Sequence, residues 1–261
     1  MGRPPLLADV VPRRNGTFFI ILAGGAAIIL MLGVLYAVGI RLAPLTSDGH
    51  VAAFDLDSEG SIGSWFSIVL LFVCGQATLV VRRLRVAAGC ARRESREWFA
   101  VALVWFTMSL DEGASLHEGF KEMMARLVGS RILGDGSIYW IVPYFVALSA
   151  SGLFLLVAAR RTPAAVVFLL AAGASYAVAV VMQLGVVFPT RPMLATWIEE
   201  SCEMLGDLLI LMTLGLHARS VVAMMEQTGH SVAGRGSAAS IDAVRRGTES
   251  HDDRTEILSA A

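Results

Sequence analysis

The chain has 261 residues, 56% of them hydrophobic and only 16% charged, against roughly 25% charged in ordinary soluble domains; its mean hydropathy is +0.66. A soluble core of this size cannot hide that much apolar surface, and a net charge of −1 leaves no basic footprint for nucleic acid. Cys74, Cys90 and Cys202 are odd in number and form no CxxC pair, which argues against a disulfide framework and a cysteine zinc site.

Crossing a bilayer core takes about 20 apolar residues. After an N-terminal segment, 1–16, the first such run covers 17–40. It is longer than the roughly 7–15 apolar residues of a cleaved signal, so it reads as a retained helix. Further clean runs follow at 62–81, 138–159 and 164–187. Two more, 98–120 and 194–216, are long enough but interrupted by acids. They are read as helices 3 and 6 of six, with a half-span or interfacial helix as the alternative for each. From about Ser220 to Ala261, Gly, Ser and mixed charge replace the apolar runs, which predicts a flexible tail, disordered or loosely helical. The expected fold is all-α: a polytopic integral membrane protein with a six-helix transmembrane domain over 17–219 and a disordered tail over 220–261.

Orientation follows from basic residues in the loops. The N-terminal segment, the loop after helix 2, the loop after helix 4 and the tail together hold sixteen, and the other side holds five. Both termini are therefore expected in the cytoplasm, in a bacterial-type inner membrane.

Any chemistry lies in two stretches, FTMSLDEGASLHEGF in helix 3 and ATWIEESCEMLGDLL in helix 6. An ionised group at mid-membrane costs about 2.5–3.5 kcal/mol on insertion scales and by default marks a polar interior site. On a continuous helix Asp111 and Glu118 fall about 20° apart, with Glu112 and His117 flanking them. Glu200, Glu203 and Asp207 form one stripe about 60° wide, with Glu199 at its edge. The rise per residue puts Asp111, Glu200 and Glu203 together in the outer third of the bilayer, and Asp207 in the inner half.

Carboxylates so close repel one another unless they share protons or bind a cation. A carboxylate set with one imidazole suits iron, manganese or zinc. The expected ligands are Asp111, Glu118, Glu200 and Glu203, with Glu199 and Asp207 as outlying members. His117 and Glu112 are the candidate catalytic or proton-carrying groups. The Glu-x-x-His pair of di-iron bundles is absent. Three functions fit: a metal-dependent membrane enzyme acting on a lipid-like substrate, a proton-coupled transporter using the same acids, or a structural membrane protein whose acids only join helices. Tyr144 and Gln183 are expected at the same level, and Tyr176 in the inner half.

Overall fold

The computed structural model describes the backbone of residues 6–259 except 48, 59, 133, 186 and 188–190, and side chains over 8–228. The fold is all-helical, with no strand among the described residues. Seven α-helices stand among those residues: α1 (Asn15–Leu42), α2 (Ile62–Ala87), α3 (Arg92–Ala114), α4 (Leu116–Val128), α5 (Ile138–Ala159), α6 (Pro163–Gln183) and α7 (Pro192–Ser259). The chain forms two compact units, Met1–Arg219 and Ser220–Ala261.

Five stretches are long and apolar enough to cross a membrane: Asn15–Leu45, Ile62–Ala87, Ile138–Ala159, Pro163–Gln183 and Pro192–Thr228. The helix expected over 98–120 differs. It is two helices, α3 and α4, bent by 81° at Ser115, and they pass the same test only when taken together. Ser115 sits at φ 54°, the sole described non-glycine residue in the left-handed region. Helical periodicity runs through this point in the sequence, so the break is invisible there. α6 ends at Gln183, short of the expected 187, because Gly185 turns the chain at φ +65°.

In the tail, expected to be disordered or loosely helical, α7 continues to Ser259. No proline follows Pro192 to stop it.

Within the first unit α7 is the hub. Of its most apolar stretch 61% is buried, against 17–44% for the other four. Glycines let its neighbours close in, as small residues do wherever helices pack tightly. On α1, a Cβ at Gly25 would lie 2.6 Å from Leu208, and one at Gly33 would run into the Trp197 indole. Gly206 of α7 receives the Tyr176 ring of α6. Ser175 of α6 donates to the Cys202 carbonyl at 2.7 Å. Ile29, Leu32 and Tyr36 of α1, Leu70 of α2, and Met204 and Leu208 of α7 share one apolar cluster with Leu56.

α2 and α3 form a hairpin, joined by Ser109 Oγ donating to the Ile68 carbonyl at 2.9 Å and by Phe106 against Gly75. Ser61 caps α2, accepting the Ser64 N–H at 3.2 Å. The outward faces of α1, α5 and α6 carry large exposed apolar side chains such as Phe19, Phe145 and Val167.

Candidate functional site

The break at Ser115 leaves the first N–H groups of α4 without helical partners. The Ser115 hydroxyl makes no capping bond. Asp111, buried near the end of α3, does so across the break. Its Oδ1 accepts the His117 N–H at 2.6 Å, and its Oδ2 lies 3.0 Å from His117 Nδ1. The Tyr144 hydroxyl of α5 donates to that same Oδ2. The Trp140 ring lies 5.1 Å from the His117 ring and 5.5 Å from Tyr144, completing an aromatic wall. Asp111 thus joins α3, α4 and α5.

A second carboxylate is held more deeply. Asp207 is 3% exposed. Its Oδ1 accepts the Tyr176 hydroxyl at 2.6 Å, and its Oδ2 accepts Ser67 Oγ at 3.0 Å. The Cys74 thiol points at the Asp207 carbonyl at 3.5 Å. Among the described residues no arginine, lysine or histidine forms an ion pair with Asp207.

The other acids of α7 lie between these two nodes. Glu200 is in electrostatic range of Glu203, Glu112 and Glu199; Glu203 is in range of Asp207 and His117. Groups of the two acidic stretches, Glu112 with Glu200 and His117 with Glu203, are thus within electrostatic range of one another.

Glu118 is turned off the stripe with Asp111 by the 81° bend, although His117 Nε2 still lies 3.8 Å from its Oε1. It pairs with Lys121 at 2.7 Å, and Lys121 also reaches Asp135 Oδ2 at 3.0 Å. Lys121, the chain's single lysine, is buried. Ser137 gives Asp135 both its N–H, at 3.0 Å, and its hydroxyl, at 2.8 Å. Burial opposes ionisation of Asp135, but the Ser137 and Lys121 bonds outweigh it and hold the carboxyl below its ordinary value. Asp57, in the α1–α2 loop, goes the other way. Desolvation, then the neighbouring Asp55 and Glu118 carboxylates, push it up.

The metal set expected from the sequence is not assembled. No three His, Cys, Asp or Glu side chains converge as ligands among the described residues. Asp111 is engaged by His117 and Tyr144, and Glu118 by Lys121, so of the four expected ligands only Glu200 and Glu203 remain side by side.

The acids fall inside one sequence family. A profile described as a domain of unknown function, DUF8692, matches residues 20–218. The chain belongs to that family. The DUF8692 match takes in both carboxylate nodes and the Lys121 cap, and ends beside the boundary between the two units. No curated protein and no solved structure matches the chain.

Beyond Asp207 the interior of the DUF8692 domain changes character. The Thr213 hydroxyl bonds the Leu209 carbonyl of its own helix at 2.9 Å, and Thr78 bonds the Cys74 carbonyl at 2.8 Å. Leu208, Leu209, Ile210, Met212, Leu214 and Leu216 are buried and apolar. The next ionisable group is His217, stacked on Trp98 at 5.4 Å, near the Arg85–Glu94 pair of 2.7 Å.

Tyr176, Ser67, Lys121 and Asp135 are the site residues that sequence reasoning missed or left without a role. The bonds that matter join distant positions: 140 apart for Ser67 and Asp207, 31 for Tyr176 and Asp207, and 14 for Lys121 and Asp135.

Proposed function

We propose that the chain is a polytopic membrane protein whose interior carboxylates hold exchangeable protons and couple them to movement of a solute. The arginine count supports placing both termini in the cytoplasm, with α4 and the acids toward the outside. The observation that carries the reading is Asp207: a carboxylate deep in the bundle, bonded by two hydroxyls and, among the described residues, by no cation. A buried charge without a partner is costly, and the proton is the counter-ion that such a site can take without converging ligands. The column from Glu199 through Glu200 and Glu203 to Asp207 gives protons a path from one end. The apolar stretch Leu208–Leu216 closes the other, as alternating access requires of one state. Metal-dependent hydrolysis of a lipid-like substrate loses ground because its ligands are dispersed. A purely structural role keeps one observation in its favour: Asp111 and Asp207 each tie three helices together.

Infrared difference spectroscopy on reconstituted protein tests the proposal. A carboxyl C=O band that titrates with pH and diminishes in Asp207→Asn and Glu203→Gln is expected. A spectrum with no titrating carboxyl band, or one unchanged in both variants, refutes it.

A further inference from the structure

α4 is thirteen residues long, about 20 Å at 1.5 Å per residue, too short to cross a hydrocarbon core of about 30 Å. It leaves α3 at 81°. Four of its large apolar side chains are exposed. Leu116 is 49% exposed, Phe120 37%, Met123 50% and Leu127 73%. At 100° per residue these four positions fall within about 60° of one another. The opposite face is tied inward by His117 on Asp111 and by Lys121 on Glu118 and Asp135. The helices packed against α4 also carry exposed apolar side chains, Leu103 and Leu110 on α3 and Val142 on α5.

We infer that α4 lies in the membrane interface, its Leu116–Phe120–Met123–Leu127 stripe seated at the boundary of headgroups and acyl chains. Its occupant is lipid. A helix of this pattern, with one apolar face and one polar face and too short to span, settles in that plane. Its charges, Glu118, Glu122, Lys121 and Arg126, balance, so the seat does not need an anionic leaflet. The inference rests on the membrane reading above, and it makes that reading more specific. The Asp111–His117 node stands at headgroup depth, where water and protons reach it, while Asp207 stands deeper.

Site-directed spin labelling in zwitterionic phosphatidylcholine vesicles tests this, in a background with Cys74→Ala, Cys90→Ser and Cys202→Ala. Labels go on Met123→Cys and Leu127→Cys, on Glu122→Cys as the polar-face control, and on Ser149→Cys, exposed at the middle of α5, as the spanning control. The Met123 and Leu127 labels are expected to be several-fold more accessible to oxygen than to a water-soluble nickel relaxant, at a depth shallower than Ser149. The Glu122 label is expected to favour the nickel relaxant. Leu127 as water-accessible as Glu122, with Ser149 still in lipid, overturns the interfacial helix and leaves the membrane reading standing. Leu127 as deep as Ser149 overturns it in favour of a spanning α4. Ser149 in water defeats both readings.

Discussion

Gly206→Ala is the most telling single substitution. In an isolated helix the change is favourable by about 1 kcal/mol. Here the new Cβ would stand 2.7, 2.8 and 2.9 Å from three ring carbons of Tyr176, where contact distances are about 3.5–4.0 Å. The ring has to move by about 1 Å to restore contact, which carries its hydroxyl, now 2.6 Å from Asp207 Oδ1, out of bonding range. Overpacking costs about 1–3 kcal/mol, and an interhelical hydrogen bond in a membrane contributes about 0.6–1.7 kcal/mol. Set against the helix gain, the net loss is about 1–4 kcal/mol. The midpoint of unfolding in mixed detergent–SDS micelles, followed by circular dichroism, reads it. Gly24→Ala, which meets nothing within 4 Å, is the control and should match or exceed the parent. The penalty should also disappear in a Tyr176→Ala background, where the clashing ring is gone. A Gly206→Ala variant as stable as the parent, or a penalty that survives without Tyr176, refutes the reasoning.

Ser115→Gly should stabilise the fold by up to about 1 kcal/mol, since a left-handed non-glycine residue carries a cost of about 1–2 kcal/mol that glycine's own backbone entropy partly cancels; an unfolding midpoint below the parent's counts against the break. Asp57→Asn should raise the unfolding midpoint at neutral pH. The raised carboxyl penalises the folded state in full above its shifted value, and the penalty fades as pH falls to the ordinary 3.8, so the two proteins should converge in acid. Asp135→Asn should lower the midpoint at neutral pH. The depressed carboxyl stabilises above the ordinary 3.8, and that contribution is lost as pH falls through its lower folded value. The same variant should speed trypsin cleavage at Arg131 under native conditions, and unchanged cleavage would argue that the Lys121 cap does not hold the α4–α5 loop.

The helices most legible in the sequence are those whose signal is a plain apolar run. Ile138–Ala159 is the clearest, with both ends where arginine and polar loop residues bound the hydrophobic stretch. The third segment fails for a specific reason. Placing Asp111 and Glu118 on one stripe assumes an unbroken helix, and the assumption ends at Ser115, whose left-handed backbone has no glycine to announce it. The α7 stripe survives because α7 is unbroken through Glu200, Glu203 and Asp207. Tyr144 was legible as a residue at the same level as the acids, but not as a donor to Asp111, since that bond joins α3 to α5. Lys121 entered the sequence reading only as a charge. Its burial depends on Asp135, fourteen positions away in a loop.

The placement of α7 also bears on the order of assembly. Ribosomes release chains from the N-terminus, and α7 is the last helix of the matched domain to appear. Until then Gly25 and Gly33 of α1 face no partner, and the Ser67 and Tyr176 hydroxyls await the carboxylate that they bind at Asp207. The acid-bearing helix is thus the last piece needed to complete these contacts. First and last helices are thereby joined by contacts of high sequence separation, whose loop-closure cost is met before their reward. A nascent chain arrested before Asp207 would keep every long apolar run up to α6 and still lack the piece around which those runs are arranged.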